Sequence, residues 1–222
     1  MTQPFTWSYS RLKNYETCPK RSFHYDIKKD VVEPETPQLA EGNALHAAFD
    51  ARIRKGTELP LGMGQHETLL ARIADAPGRT YSEQKLALTD QFAPVGYFGK
   101  NVWFRTVIDA AKQPDDSFAI VFDWKSGKPT TDETQMQLIA ATMMHHMPRL
   151  ERVRTALVFV NHDHTERGEY VRGDLPEIWA NILPRVNRLR QAREDEDYPP
   201  KPGGLCRRYC AVKTCPHWGV GG

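Results

Sequence analysis

The stretch Trp103–Lys125 reads W-F-R-T-V-I-D, then A-A-K-Q-P-D-D-S, then F-A-I-V-F-D-W-K. Two β-rich runs flank a Pro-Asp-Asp-Ser turn signal, which predicts a hairpin. If that hairpin is symmetric about Asp116, Asp109 and Asp123 stand opposite each other. Side chains repeat every two residues along a strand, so Lys125 shares a face with Asp123. Ile108, Val121 and Phe122 are apolar enough to put both strands in a core sheet. Two acids and an ammonium beside such a core need a reason, and a hard divalent cation held by oxygen ligands is one. The alternative reading is a set of polar residues on the solvated side of a hairpin. Asp115, beside the turn centre, would not face Asp123.

The chain around the hairpin has 222 residues, 40% hydrophobic and 26% charged, with a formal charge of +2. That suits one α/β or α+β domain with a small appendage. The charge neither demands nor excludes a polyanionic partner, since a basic cleft needs only local asymmetry. No apolar run reaches the roughly 20 residues that span a bilayer. No signal peptide is visible at Met-Thr-Gln-Pro-Phe, so an intracellular, reducing compartment is expected.

Before the hairpin, Ser8 or Ser10 can cap a short helix that carries Leu12 and Tyr15 and ends at Pro19, with Cys18 at its exit. Val31 to Gln38 reads as a loop. A helix with Leu45, Ala48, Phe49 and Ile53 on one stripe spans Glu41 to Arg54, and His46 lies beside the stripe. A short helix near Glu67 to Ile73 precedes a strand from Tyr81 to Leu88. After the hairpin, Thr130-x-x-Glu133 is a capping box for a helix from about Thr131 to His146. A strand from Val153 to Asn161 is followed by a polar turn from His162 to Gly168 and by Tyr170-Val171. A last helix runs from Asp174 to about Arg193. Pro184 should kink it, and Arg185, Arg188, Arg190 and Arg193 lie along it.

Cys206, Cys210 and Cys215 have C-x3-C-x4-C spacing, and Cys18 is the only other cysteine. In a reducing compartment such a set reads as a metal site rather than a disulfide framework. Four thiolates suit an Fe–S cluster or structural zinc. Zinc prefers C-x2-C knuckles, absent here, though His217 could substitute as a ligand. Looser spacing with one distant cysteine suits a cluster better, and Arg207, Arg208 and Lys213 would offset its negative charge.

Together these residues resemble the PD-(D/E)XK nuclease superfamily, and within it the RecB-type and CRISPR-associated exonucleases that carry an Fe–S cluster. The S-x-S-x-L-x-x-Y-x-x-C-P pattern is Ser8, Ser10, Leu12, Tyr15, Cys18 and Pro19. A G-x-x-x-H motif is Gly42 and His46. The motif aspartate is Asp109, and D-x-K is Asp123-Trp124-Lys125. The Q-x-x-x-Y motif is represented by Gln135, with Ile139 in place of the tyrosine and Gln137 as a competing choice. The resemblance implies an α/β fold, a mixed central sheet flanked by helices with the site at one sheet edge. It implies a single nuclease domain with a core of about 40–195 and an Fe–S subregion from 8–25 and 198–222. Mg²⁺ or Mn²⁺ would be held by His46, Asp109, Asp123 and the Trp124 carbonyl, and Lys125 would assist a water. A 4Fe-4S cluster would sit on Cys18, Cys206, Cys210 and Cys215, with structural Zn²⁺ the alternative. Gln135, Tyr15, Lys20, Arg21 and the arginine-bearing helix would support the site or the path of a single DNA strand. The implied partners are DNA and a helicase or CRISPR-adaptation protein. An idle DNA-binding or adaptor module is the competing function, and a zinc-stapled domain without activity a third.

Overall fold

The computed structural model describes residues 5–32, 35–129 and 132–220. In chain order the elements are α1 (Tyr9–Thr17), α2 (Pro19–Ser22), a π-helical turn (Phe23–Lys28), α3 (Pro37–Lys55), α4 (Glu67–Asp75), β1 (Arg79–Leu88), β2 (Pro94–Val95), β3 (Phe104–Gln113), β4 (Phe118–Lys125), α5 (Thr134–His146), β5 (Arg152–Phe159), β6 (His164–Val171), α6 (Leu175–Glu194) and α7 (Leu205–Arg208). The chain forms two compact units. One is Thr36–Trp179 with the segment ending at Thr6; the other is Trp7–Glu35 with Ala180–Gly222.

The first unit is built on a six-stranded mixed sheet of order β2-β1-β3-β4-β5-β6. The β3–β4 hairpin pairs Ala110 with Phe122, Ala111 with Val121 and Lys112 with Ile120, a register centred on Asp116. Its turn is an Asx turn: Asp115 Oδ1 accepts from the Ser117 amide and hydroxyl, both at 2.7 Å. Asp115 therefore serves the turn, and its carboxyl is held below the usual range by the Ser117 hydroxyl. β4 and β5 are parallel, joined across α5, whereas β5 and β6 are antiparallel.

α3 starts where Thr36 accepts from the Leu39 amide with Pro37 at the first helical position, and stops at Gly56 in the left-handed region. Leu45, Phe49 and Ile53 of α3 and Leu70 and Ile73 of α4 bury themselves against Ala110 and Trp124. That pins α3 over the middle of the sheet. α5 is apolar nearly all round, with Leu138, Ala141 and Thr142 buried beside the expected Met136, Ile139, Ala140, Met143 and Met144. A crossover helix of this kind is covered on most sides.

Three sequence expectations change. α5 begins at Thr134, with Asp132 accepting from its amide, rather than at Thr131; the Thr130 of the proposed capping box lies outside the described residues. The segment expected as a polar turn is mostly strand: β6 starts at His164, because an antiparallel partner is available along the whole of β5. α3 begins at Pro37, inside the stretch expected as a loop and before Glu41, because Thr36 caps it there. The last helix is present close to its expected span as α6, Leu175–Glu194, with Pro184 inside it.

In the second unit Ser8 caps α1 by accepting from the Arg11 amide. Trp7, Leu12, Val186, Leu189 and Val212 are buried. Arg185 makes a two-pronged bond to Glu16, at 2.7 and 2.8 Å, so it is engaged within the protein rather than free for a phosphate. No helix among the described residues is long and apolar enough to cross a membrane.

Candidate active site

Past the Ala110–Phe122 pair, the hairpin ladder gives way to side-chain bonding. Asp109 Oδ2 accepts from the Trp124 amide at 2.8 Å. His46 reaches in from α3, its Nε2 3.1 Å from the Trp124 carbonyl and its Nδ1 3.4 Å from Asp109 Oδ1. Gly42 sits four residues earlier, one helical turn before His46. A Cβ there would lie 3.2 Å from Ser126 Oγ, so the glycine lets α3 come close to the end of β4.

A third ligand candidate comes from β1. One ligand atom each from His46, Glu83 and Asp109 lie within 4.8 Å of one another. Glu83 has φ +49° and sits between the Ser82–Ala110 and Gln84–Ile108 pairs, opposite Asp109. A left-handed glutamate inside a strand is costly and is kept only where its surroundings fix it. Ser82 helps to fix it, donating to Asp50 Oδ1 at 2.7 Å and contacting the Asp109 carbonyl at 3.3 Å. The sequence reading missed Glu83. A lone glutamate in a weakly alternating strand carries no motif, and only the pairing of β1 with β3 places it.

Asp123 is 2% exposed. Gln135 Nε2 donates to its Oδ1 at 2.6 Å, which singles out Gln135 over Gln137. Lys125 Nζ lies 2.6 Å from Oδ2, an ion pair whose angle does not make an aligned hydrogen bond. Asp123 is not part of the close trio.

The electrostatics ask for more positive charge. Burial pushes the Asp123 carboxyl up to about 6; Lys125 opposes this and Asp109 adds to it. Burial, then Asp109, raises Glu83. His46 is raised, first by its contact with Asp109. Both ring nitrogens of His46 face acceptors, so the imidazolium satisfies both where the neutral ring satisfies one. A divalent cation among these groups would do the same task without borrowing protons. Two carboxylates, an imidazole and a carbonyl are a donor set for Mg²⁺ or Mn²⁺, with the nitrogen leaning toward Mn²⁺. The acids rise from β1, β3 and β4. β2 pairs with β1 only at Ala87 and Leu88, so around Glu83, among the described residues, β1 is bonded to β3 alone and forms the rim of the sheet there.

The cysteines belong to the other unit. Cys18 ends α1, Cys206 lies in α7, and Cys210 and Cys215 follow. All four line one cavity, together with Lys20, Arg21, Lys201, His217 and Trp218. The lining cations are therefore not the Arg207, Arg208 and Lys213 expected from sequence adjacency. The space is small, about 20 Å³. Among the described residues no three of the sulfurs approach within 4.8 Å of one another, whereas tetrahedral zinc needs sulfurs about 3.8 Å apart. Among the described residues the four cysteines thus do not form a closed cluster. Arg21 donates to Asn14 at 2.7 Å and stacks over Tyr25 at 4.5 Å, and Tyr15 is half-buried, its phenol pushed up by burial. Tyr15, Lys20 and Arg21 are thus part of the cysteine unit.

A protein named as a candidate exonuclease from Eubacterium rectale shares the fold, with a TM-score of 0.52, 13% identity and 90% of this chain against 85% of that one. A second solved protein, SSO0001, aligns over 98% of this chain and 89% of its own at 15% identity, with a TM-score of 0.48. At 13% identity the likeness to the Eubacterium rectale protein speaks for the fold alone. No curated protein matches the chain significantly. The sequence profile of one family matches residues 6–216, nearly the whole length. The chain belongs to the PD-(D/E)XK nuclease superfamily.

Proposed function

We propose that the protein is a divalent-metal-dependent deoxyribonuclease of the RecB type, acting as an exonuclease on single-stranded DNA ends. The observation that carries this is the convergence of His46, Glu83 and Asp109 within 4.8 Å, beside the Trp124 carbonyl and next to the Asp123–Lys125 pair. A binding module has no use for buried, mutually repelling carboxylates.

His46, Asp109, Asp123 and the Trp124 carbonyl would hold Mg²⁺ or Mn²⁺, with Glu83 a further ligand. When bound, the ion supplies Lewis-acid polarisation of the phosphodiester and an acidified water. Lys125 lies against Asp123, where its ammonium can orient the attacking water and meet charge that develops on the phosphate. Gln135 fixes the rotamer of Asp123, and the Trp124 amide fixes that of Asp109. These two bonds keep the acids aimed before substrate arrives.

Cys18, Cys206, Cys210 and Cys215 would hold a 4Fe-4S cluster. Four thiolates on one cavity with three lining cations support that reading. The narrow space means that uptake of a cluster has to part the thiols. The group would join both chain ends and restrict the unfolded chain.

The deciding experiment is digestion of end-labelled single-stranded DNA with Mn²⁺ or Mg²⁺. Stepwise loss of nucleotides from one end by the wild type, and none by Asp123→Ala, is expected. Equal digestion by Asp109→Ala, Asp123→Ala and Lys125→Ala would refute the site.

A further inference from the structure

Beyond Glu83 and Asp109, β1 and β3 continue together, with Lys85 opposite Val107 and Ala87 opposite Arg105. Strand alternation puts Glu83 and Lys85 on one face with Asp109, Val107 and Arg105. Each two-residue step along that face covers about 7 Å. Lys85 is thus one step from the acids, and Arg105 two. The connection between β2 and β3 lays Tyr97 and Phe98 over the end of this track.

The two rings meet edge to face at 5.0 Å. Lys85 Nζ lies 5.8 Å from the Tyr97 centroid and 5.6 Å from that of Phe98, and the Arg105 guanidinium 5.3 Å from that of Tyr97. Among the described residues neither cation has a carboxylate in ion-pair range, and Arg105 Nε is buried without a hydrogen-bond partner. Phe98 is 78% exposed. Packing within the protein does not account for a phenylalanine left in water beside two cations without acidic partners. Cations in line with an exposed aromatic are what a single nucleic-acid strand recognises: charge for its phosphates and a face for its bases. A duplex keeps its bases stacked and has no use for the ring.

We propose that Lys85, Arg105, Tyr97 and Phe98 form a subsite for the single-stranded DNA flanking the scissile phosphodiester. A base stacks on Phe98, Lys85 and Arg105 meet the adjoining phosphates, and Tyr97 holds both cations in place. This subsite rests on the nuclease reading above and adds to it the residues that hold the strand beside the acids.

The test measures binding of a fluorescein-labelled thymidine oligonucleotide with Ca²⁺ in place of Mg²⁺, alongside cleavage of the same strand by wild type in Mn²⁺. Phe98→Ala should weaken binding about 5- to 100-fold, and Phe98→Trp should restore it. The Lys85→Ala, Arg105→Ala double variant should lower the slope of log affinity against log salt by about 1.4. Circular dichroism and Tm establish that each variant is folded. Wild-type affinity and salt slope in folded variants overturn the subsite, even if wild type cleaves. Tighter binding of the matching RNA strand overturns the assignment to DNA. Wild type that binds through Phe98 but never cleaves upholds the subsite and refutes the nuclease reading.

Discussion

The carboxylate site and the cysteine unit solve opposite problems. The acids stand on strands of the packed sheet, cross-braced by the Trp124 amide, Gln135 and Ser82, over a core of Leu45, Phe49, Leu70 and Trp124. The cysteines come from short helices and turns at the two ends of the chain, with few buried apolar neighbours. A site built into a packed sheet can do without its ion and keep its shape, whereas a site stitched from loose ends needs its metal to hold it. Loss of the first metal should therefore cost activity, and loss of the second should cost stability.

The largest expected effect is on chemistry. Asp123→Ala should abolish metal-dependent cleavage, and Lys125→Ala should lower it by about 10²- to 10³-fold, with the Tm little changed. Gel assays with matched calorimetry check this; a collapse of Tm in either variant would erase the contrast between the regions.

Cys206→Ala should do the reverse. The brown colour and absorption near 400 nm of protein purified without oxygen should be lost, and the Tm should fall by about 5–10 °C. Wild type that is colourless, carries zinc by elemental analysis and is as stable would replace the cluster with zinc.

Glu83→Gly sharpens the comparison within the first site. Glycine accepts the +49° backbone without strain, so stability should hold or rise by about 1 kcal/mol. Loss of the carboxylate should weaken Mn²⁺ binding about 10- to 100-fold, as should Gln135→Leu. Isothermal titration separates the two effects, and unchanged Mn²⁺ affinity would remove Glu83 from the ligand set.

The smallest effect is on pH dependence. Asp123 titrates near 6 when folded, above its ordinary value of 3.8. Its contribution to metal-free stability is therefore fully present below about pH 4 and lost as pH rises through 6. Asp123→Asn should raise the Tm of metal-free protein at pH 8 more than at pH 4. Mn²⁺ affinity of the wild type should climb between pH 5 and 7 as Asp123 releases its proton. A flat profile would mean that burial does not govern this carboxyl.

Much of this was legible in the chain. The hairpin centre at Asp116 follows from Pro-Asp-Asp-Ser between β-rich runs, because turn chemistry and strand alternation are local. The helix bearing His46 follows from its apolar stripe for the same reason. Gln135 was named but not separable from Gln137, since a helix position does not reveal which side chain meets Asp123. The strand character of His164–Val171 was hidden in a polar sequence that pairs only because β5 offers it a partner.

The amino-acid order alone determined the sheet hairpin, the candidate ligand types and the four thiols, each set by near neighbours along the chain. Only tertiary structure decided that Glu83 faces Asp109, that Lys20, Arg21 and Lys201 line the cysteine cavity, and that Phe98 stands exposed by two cations. Those juxtapositions join residues distant in sequence, and strand pairing and packing fix them.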